Sequence, residues 1–249
     1  MANHIDLNCD MGEFESLDEA ELDLAIMPLI SRCNIAMAGH AGNEETIRYC
    51  FAKAAEHNLH IGIHPGYADR AQFGRRILDQ DWSQTAASLC EQIELGLDIA
   101  EQLGISISHV KFHGALYNQI EADLEIANSV SELLDDYPQL AVLAMANGQL
   151  QKLTEEKDSR FIREAFIDRR YLSLNQLQPR SEAGAVFSSL DDVLEQAIAI
   201  ATSRPVTAAN GESLAIAADS LCIHSDTPDS LYFLTTLCER FKTQNILVS

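Results

Sequence analysis

The stretch HIDLNCDMGEFES, residues 4–16, sets the expectation for the fold. Apolar and polar side chains alternate from Ile5 to Asp10, and this period of two predicts a β-strand. An EF-hand loop also opens with an Asp-x-Asn-x-Asp pattern, but it needs glycine at its sixth position and glutamate at its twelfth. Those positions hold Met11 and Leu17. The stretch therefore predicts a strand rather than a calcium loop.

Short apolar strands alternate with helical stretches along nearly the whole chain. Strands are predicted at 4–9, 33–39, 59–63, 107–112, 140–145, 162–167 and 219–224, with weaker ones at 184–187, 205–208 and 245–248. Helices are predicted at 17–31, 43–57, 83–103, 123–136, 148–158, 190–203 and 228–241, the last with Thr227 as N-cap and Pro228 at its first position. This alternation implies parallel strands joined by crossover helices. The prediction is a single α/β domain over residues 1–249, either a (β/α) barrel or an open doubly wound sheet.

Composition narrows the class of protein further. The chain has no apolar run near the roughly 18 residues that span a bilayer, and no signal peptide follows Met1, so a cytoplasmic location is expected. Six cysteines without zinc-finger spacing predict reduced thiols. A formal charge of −21 disfavours binding to nucleic acid or to an anionic membrane. The GxGxxG and GxxxxGK[ST] fingerprints are both absent from the sequence.

Polar residues gather where the predicted strands end. Four strands end in histidine, and the first strand carries two aspartates on its polar face; the six residues are His40, His64, His113, His224, Asp6 and Asp10. Parity places His109, Lys111 and His113 on one face of the fourth strand, with small residues of neighbouring strands expected to leave room at the mouth of a barrel. Because sites in such folds lie at the carboxyl ends of the strands, this cluster is the candidate site.

Two binding chemistries remain open for that cluster. His60 and His64 lie roughly 13 Å apart on an extended strand and cannot hold one ion together. A metal would need ligands from different strands, such as His40, His64 and His113 with Asp6 or Asp10. Arginines in the loops offer a second chemistry, since a guanidinium fork binds carboxylate or phosphate; they are Arg75, Arg76, Arg169 and Arg170.

With these residues identified, the chain resembles the LamB/YcsF family, whose members are known as the A component of 5-oxoprolinase. The matching stretches are IDLNCDMGE (5–13), NIAMAGHAGN (34–43), IGIHPGYADRAQFGRR (61–76), HVKFHGALYN (109–118), FIDRRY (166–171) and LCIHSD (221–226). The resemblance implies a variant (β/α) barrel of the glycoside hydrolase and deacetylase type. It also implies ATP-dependent hydrolytic opening of 5-oxoproline to glutamate together with partner subunits B and C, with ATP and its Mg as cosubstrate.

The resemblance assigns roles to residues of the matching stretches. It implies catalytic roles for Asp6, Asn8, Asp10, Glu13, His40, His64, Lys111, His113, His224 and Asp226. It implies substrate-binding roles for Asn34, Arg75, Arg76, Tyr117, Asn118, Asp168 and Arg169. Asp6 or Asp10 is expected to activate water, and Lys111 to hold phosphate or developing negative charge.

Several positions depart from the family pattern. Asn43 stands where the family has an acid, and it can cap the following helix but cannot act as a base. Two alternatives to the ATP-dependent reaction therefore stay open. One is a metal-dependent amidase or deacetylase that works without ATP, and the other is a non-catalytic subunit that binds the ligand.

Overall fold

Seven parallel strands close into a barrel in the computed structural model, which describes residues 3–249. The strands of the fold are β1 (Asn3–Met11), β2 (Arg32–Ala36), β3 (His60–His64), β4 (His109–Val110), β5 (Ala141–Met145), β6 (Phe161–Phe166), β7 (Tyr171–Ser173), β8 (Gln176–Leu177), β9 (Val206–Thr207), β10 (Ser213–Leu214), β11 (Ser220–Cys222) and β12 (Ile246–Val248). The helices are α1 (Glu21–Ile26), α2 (Glu44–Glu56), α3 (Trp82–Leu103), α4 (Gly114–Ala122), α5 (Leu124–Leu134), α6 (Gln149–Glu156), α7 (Leu190–Ala201) and α8 (Ser230–Thr243).

The barrel is built from neighbours in sequence. Strands β1 to β6 pair in order, β11 pairs with β6, and β11 also pairs with β1, which closes the ring. The short strand β12 adds to the start of β1. Hairpins β7–β8 and β9–β10 lie between β6 and β11. The predicted (β/α) barrel is confirmed, and the open-sheet alternative is wrong because β11 pairs with both β6 and β1 and the ring of described strands has no free edge.

Parity orders the interior of the barrel as the sequence pattern predicts. Ile61 and Ile63 of β3 are buried in the hydrophobic core, while His64 of the same strand faces the polar interior. The space above Gly62 is not open room, however. A Cβ atom at Gly62 would lie 2.1 Å from Nε2 of His109, so this glycine makes room for a histidine ring.

Several predicted elements differ from those observed. Strand β2 ends at Ala36, because Ala38 has a φ of 60° and the chain turns there. The stretch 184–187 makes an isolated bridge between Val186 and Arg169 instead of a strand. Helix α8 begins at Ser230 with Asp229 as its N-cap, so the prediction of a Thr227 cap is wrong.

Two helical regions differ from the prediction, one in extent and one in its presence. The predicted helix 17–31 is the short helix α1 flanked by 3-10 turns at Leu17–Glu19 and Met27–Leu29. Helix α4, which carries Tyr117 and Asn118, was not predicted. Among residues 3–249, no helix has the length and apolar character needed to cross a membrane.

Candidate functional site

A cavity of about 820 Å³ opens at the carboxyl ends of the barrel strands, the end referred to below as the mouth. Its volume falls within the roughly 300–1,000 Å³ typical of small-molecule sites. Among the residues that line it are Asp10, Glu13, His64, Arg75, Lys111, His113, Tyr117, Asn118, Arg169, Arg180, His224 and Asp226. The cavity therefore brings together residues from most of the sequence stretches that were singled out.

Lys111 forms the floor of the mouth between two carboxylates. Its Nζ lies 2.8 Å from Oδ1 of Asp10 and 2.8 Å from Oε1 of Glu164, and 3.2 Å from Sγ of Cys222. Burial alone would lower the pKa of Lys111, but Asp10 and its other anionic neighbours raise it well above its ordinary value. The ammonium group is therefore a permanent positive charge at the floor of the cavity.

Asp10 is held in place from three directions. Oδ1 accepts hydrogen bonds from Asn34 Nδ2 and Lys111 Nζ, each at 2.8 Å, and Oδ2 lies 3.3 Å from Nε2 of His64. Burial would raise the pKa of Asp10, but His64 and Lys111 outweigh it and hold the pKa well below the ordinary value. In return, Asp10 raises the pKa of His64 against the opposing effect of burial. Asp10 is therefore ionised and is a weak base.

Three histidines surround the carboxylate of Glu13. Its Oε1 lies 3.0 Å from Nε2 of His40, 3.1 Å from Nδ1 of His113 and 3.9 Å from Nε2 of His64. The rings of His40 and His113 stack at 3.6 Å, and the ring of His64 stands perpendicular to both. Burial lowers the pKa of His40 to about 4, whereas the close contacts of Glu13 with the rings of His113 and His40 overcome burial and depress the pKa of Glu13.

The turn after β1 aims Glu13 at this cluster. Gly12 has a φ of 70°, which glycine adopts at little cost, and its backbone N–H donates to Oδ2 of Asp23 at 2.7 Å. Asp23 lies on helix α1 and is buried. The Met-Gly-Glu sequence is thus a turn anchored by a buried carboxyl group, which explains why the glycine precedes Glu13.

His224 forms a dyad with Asp168. Oδ2 of Asp168 lies 2.9 Å from Nδ1 of His224 and accepts the hydroxyl of Thr227 at 2.6 Å. Asp168 was predicted to bind substrate, but it is completely buried behind His224 and does not line the cavity. Burial would raise its pKa, but His224 and Thr227 hold the pKa well below the ordinary value. Asp168 fixes the ring of His224, which stacks on Phe166 and faces the cavity.

Three arginines line the outer part of the cavity. Arg75 and Arg180 both pair with Asp226, which places this aspartate in an exposed ion-pair network. Arg169 is buried, and its Nη2 donates to the carbonyl of Gln178 at 2.7 Å. Within residues 3–249, Nε of Arg169 has no hydrogen-bond partner. Burial lowers the pKa of Arg169 to about 10, so it still carries its charge at neutral pH.

Four residues predicted for the site do not line the cavity. Asp6 pairs with Arg32 near the opposite end of the barrel, roughly 13 Å along β1 from Asp10, so it cannot act at the mouth. Asn8 and Asn34 are fully buried in the barrel interior beneath Asp10 and do not line the cavity. Arg76 is exposed and lies outside the cavity wall. These positions are corrected because strand parity gives the face of a residue and not its depth.

Sequence reasoning missed Glu164, which shares Lys111 with Asp10 and accepts the Tyr117 hydroxyl at 2.8 Å. Parity along β6 would have found it, since Glu164 has the same parity as Phe166 and Asp168. Arg180 was also missed, because its loop carries no strand-end signal. Asn43 caps helix α2 by accepting from the N–H of Thr46 at 3.1 Å, and it does not line the cavity.

Two groups of side chains offer metal-ligand atoms that lie within 4.8 Å of one another. The first is formed by Glu13, His40, His64 and His113, and the second by Asp10, Cys222 and His224. The first group differs from the ligand set expected from the sequence, because Glu13 takes the place of Asp6 or Asp10.

Fold and site together define a (β/α) barrel with a charged cavity at its mouth. A GH113 β-1,4-mannanase aligns with a TM-score of 0.55 at 11% identity, covering 98% of this chain and 100% of the mannanase, which shows the fold alone. The family model described as the LamB/YcsF family matches residues 5–249. The chain therefore belongs to the LamB/YcsF family.

Similar proteins agree with this membership. The third of the 5-oxoprolinase A components of Pseudomonas aeruginosa is 39% identical over 235 residues, which cover 93% of this chain and 94% of that protein. The crystal structure of a lactam utilization protein from Thermus thermophilus aligns with a TM-score of 0.89 at 29% identity, covering 98% of both chains. The resemblance that the sequence motifs indicate is confirmed.

Proposed function

We propose that this chain is the A component of a cytoplasmic 5-oxoprolinase, which opens 5-oxoproline to glutamate by ATP-dependent hydrolysis together with subunits B and C. The observation that carries the proposal is the mouth itself. A buried ammonium group, a histidine held by a buried aspartate behind it, and a partly unpaired buried arginine line one cavity of small-molecule size. The names of the similar proteins support the same assignment.

Arg169 is the residue proposed to hold the substrate carboxylate. The chain as a whole carries a charge of −21 and repels an anionic lactam, so binding requires a local cation. Arg75 and Arg180 already share Asp226, whereas Arg169 has a buried Nε without a partner among the described residues. A carboxylate that accepts from this guanidinium would satisfy the unpaired donor in a bidentate fork.

The proposed reaction begins with transfer of the γ-phosphoryl group of ATP to the lactam oxygen, which makes the ring carbon electrophilic. Water adds to that carbon, the C–N bond breaks, and the ring nitrogen takes a proton and leaves as the amine. A second water then hydrolyses the resulting acyl phosphate to the carboxylate and inorganic phosphate. Because the sequence lacks a GxxxxGK[ST] loop, we assign ATP with its Mg largely to subunits B and C.

The residues of the mouth divide this chemistry between them. Lys111 stabilises the negative charge of the phosphoryl group on the former lactam oxygen as the tetrahedral intermediate forms. His224, oriented by Asp168, takes the proton from the attacking water and delivers it to the leaving nitrogen. Asp10 is a weak base because of its low pKa, and it instead fixes the position of Lys111.

The test is glutamate release from 5-oxoproline, measured with and without ATP for this chain alone and combined with subunits B and C. We expect release only from the combination and only with ATP. In that assembly, His224→Ala is expected to slow release by roughly 10²–10⁴-fold, whereas His60→Ala at the other end of the barrel leaves it unchanged. Absence of release from the complete, folded combination contradicts the proposal.

The group formed by Glu13, His40, His64 and His113 favours a second candidate function, metal-dependent amide hydrolysis without ATP. Glutamate release from the chain alone, without ATP and sensitive to chelators, would identify it. The third candidate, a non-catalytic binding subunit, rests in the sequence on Asn43. That residue caps a helix outside the cavity wall, so it gives the third candidate no support.

A further inference from the structure

The hydrogen bonds of two mouth histidines fix which ring nitrogens carry protons. Nδ1 of His64 lies 2.7 Å from the backbone carbonyl of Lys111, and Nε2 of His113 lies 2.9 Å from the carbonyl of Phe73. A carbonyl only accepts, so each of these nitrogens must donate. In the neutral rings, Nε2 of His64 and Nδ1 of His113 therefore present lone pairs, and these two nitrogens face each other at 3.0 Å.

Two such nitrogens at this distance need either a proton shared between them or a metal ion beside them, and Oδ2 of Asp10 lies 3.3 Å from the same Nε2 of His64. Glu13 adds a third electron-rich atom, with Oε1 at 3.1 Å from Nδ1 of His113 and 3.9 Å from Nε2 of His64. Ligands of a tetrahedral zinc ion at about 2.0–2.1 Å are about 3.3 Å apart. The observed separations of 3.0, 3.1 and 3.9 Å bracket that value.

The charge balance of the mouth also favours a bound cation. Asp10, Glu13 and Glu164 are carboxylates within the barrel mouth, and Lys111 is the cation placed between two of them. Without protons on the inward-facing nitrogens of His64 and His113, this set carries two excess negative charges in a largely buried region, and a proton on His64 would remove one of them. Buried charge of one sign is costly unless it is compensated, and one divalent cation compensates it.

We propose that Glu13, His64 and His113 bind one divalent transition-metal ion, for which Zn²⁺ is the best-matched species. Imidazole and carboxylate ligands suit zinc, and backbone carbonyls on the outer ring nitrogens are the usual means of orienting metal-binding histidines. The rings of His64 and His113 stand at 89°, so both lone pairs can point at one ion. All three residues line the cavity, which gives the ion an open position toward substrate.

His40 is not one of the proposed ligands of the ion. Its ring is parallel to that of His113 at 3.6 Å, and a lone pair lies in the plane of its own ring, so both rings cannot point at one ion as they stand. His40 does not line the cavity, and its Nε2 lies 3.0 Å from Glu13 Oε1. His40 therefore positions Glu13 by donating a hydrogen bond to it. An ion at this site would supply Lewis acidity for polarising a carbonyl or activating water.

The inference does not rest on the proposed reaction, because its test reads metal content and not turnover. Full-length chain without an affinity tag is stripped with a chelator, and Zn²⁺ and Co²⁺ are titrated by calorimetry with elemental analysis of the product. We expect one ion per chain and visible Co²⁺ bands typical of four or five ligands. His64→Ala is expected to weaken binding by about 100-fold or more.

Matched variants make the result decisive. His60→Ala changes an exposed histidine on the same strand as His64 and is expected to retain full binding. His40→Ala is expected to lose about tenfold in affinity. Glu13→Gln is nearly isosteric and replaces His64→Ala if that variant does not fold. The proposal is overturned if the folded wild type binds neither ion stoichiometrically, if Glu13→Gln binds as tightly as the wild type, or if His40→Ala and His64→Ala lose equal affinity.

Discussion

The two ends of the barrel interior use the same kinds of residues to opposite effect. The lower layer, formed by Asp6, Arg32, His109 and Ser220, contains an aspartate, a cation and a histidine. Asp6 accepts from Arg32 at 3.0 Å and from Ser220 at 2.7 Å. The mouth contains the same types in greater number, but its carboxylates exceed its cations.

Histidine makes the contrast clearest. His109 has Nε2 at 2.7 Å from Oδ1 of Asn34, which requires a proton on that nitrogen, and Nδ1 at 3.1 Å from Arg32, which requires a lone pair. One neutral tautomer therefore satisfies both contacts, and burial with Arg32 keeps the pKa of His109 well below its ordinary value. At the mouth, His64 and His113 are oriented so that two lone pairs meet. A buried histidine whose two ring nitrogens both have matching partners has a structural role. Histidine nitrogens that converge beside a cavity without a donor between them indicate a binding site.

The largest expected effect tests the charge balance directly. Lys111→Met keeps the length of the side chain but leaves Asp10 and Glu164 buried without their shared cation. Removing one partner of a buried ion pair typically costs about 3–5 kcal/mol, so we expect unfolding free energy to fall by that amount. Urea denaturation measures it. Lys53→Met breaks an exposed pair with Glu56 and should change stability by less than about 0.5 kcal/mol. Equal losses in the two variants would mean that the buried carboxylates of the mouth do not depend on Lys111.

The second prediction compares the two aspartates of β1. In the assembly with subunits B and C, Asp10→Asn removes the charge that fixes Lys111 and is expected to lower glutamate release by about 10²–10³-fold. Asp6→Asn is expected to leave release nearly unchanged while lowering stability by about 1–3 kcal/mol, because Arg32 loses its ionic partner. Steady-state kinetics and denaturation of both variants decide the matter. A similar loss of turnover in both would place Asp6 in the reaction.

Asp6 and Asp10 also show which features of the site could be predicted from the sequence. Alternation predicted β1 and gave Asp6 and Asp10 the same face, which the structure confirms. The rise of a strand separates the two residues by roughly 13 Å, but which of them lies level with the histidines of other strands could not be predicted, because it depends on how far each neighbour is shifted in register, and those shifts come from the closed ring. The barrel could therefore be predicted from periodicity, while the split of its interior into two layers could not.

The missed elements have a related cause. Helix α4 follows His113 directly, and its opening sequence HGALYN contains a glycine and an asparagine that favour a loop on local grounds. Packing places Leu116 and Ile120 in the core and so favours the helix. Strand parity could have identified Glu164, but the role of an acid that follows Arg163 in the same strand becomes clear only once Lys111 is seen beside it.

The third prediction concerns a carboxyl group held by backbone N–H groups. Glu121 lines the cavity, accepts from the N–H of Gln149 at 2.6 Å, and has a pKa that burial raises from 4.5 to about 7. A raised folded-state pKa means that its stabilising contribution is complete below about pH 4.5 and is lost as pH rises through 7. The loss is up to about 3 kcal/mol, at roughly 1.4 kcal/mol for each pKa unit.

Glu121→Gln should remove that loss while keeping the hydrogen-bond acceptor. The informative quantity is the difference in unfolding free energy between wild type and variant, since Asp10, Glu13 and Asp168 have lowered pKa values and act in the opposite direction in both proteins. We expect the wild type to lose stability relative to the variant between pH 4.5 and about 8. A difference that stays constant over this range contradicts the burial argument.

The smallest expected effect concerns the loop that holds the mouth histidines. Phe73 and Gly74 have φ values of 53° and 61°, and this turn presents the Phe73 carbonyl to His113. A Cβ atom at position 74 would lie 2.9 Å from Cδ2 of His113 and from Cβ of His40. Gly74→Ala therefore combines a backbone cost of about 1 kcal/mol with a collision that turns the ring of His113.

Gly104→Ala is the matched control for this variant. Gly104 has a φ of 67°, and a Cβ there would meet no atom of the described residues within 4 Å, so it carries the same backbone cost without the collision. We expect both variants to lose stability by about 1 kcal/mol, Gly74→Ala somewhat more. Zn²⁺ affinity should fall by about tenfold in Gly74→Ala alone, because the tautomer and direction of His113 depend on the Phe73 carbonyl. Equal affinities in the two variants would mean that the loop does not orient His113, and the contrast between the mouth and the lower layer would then rest on charge alone.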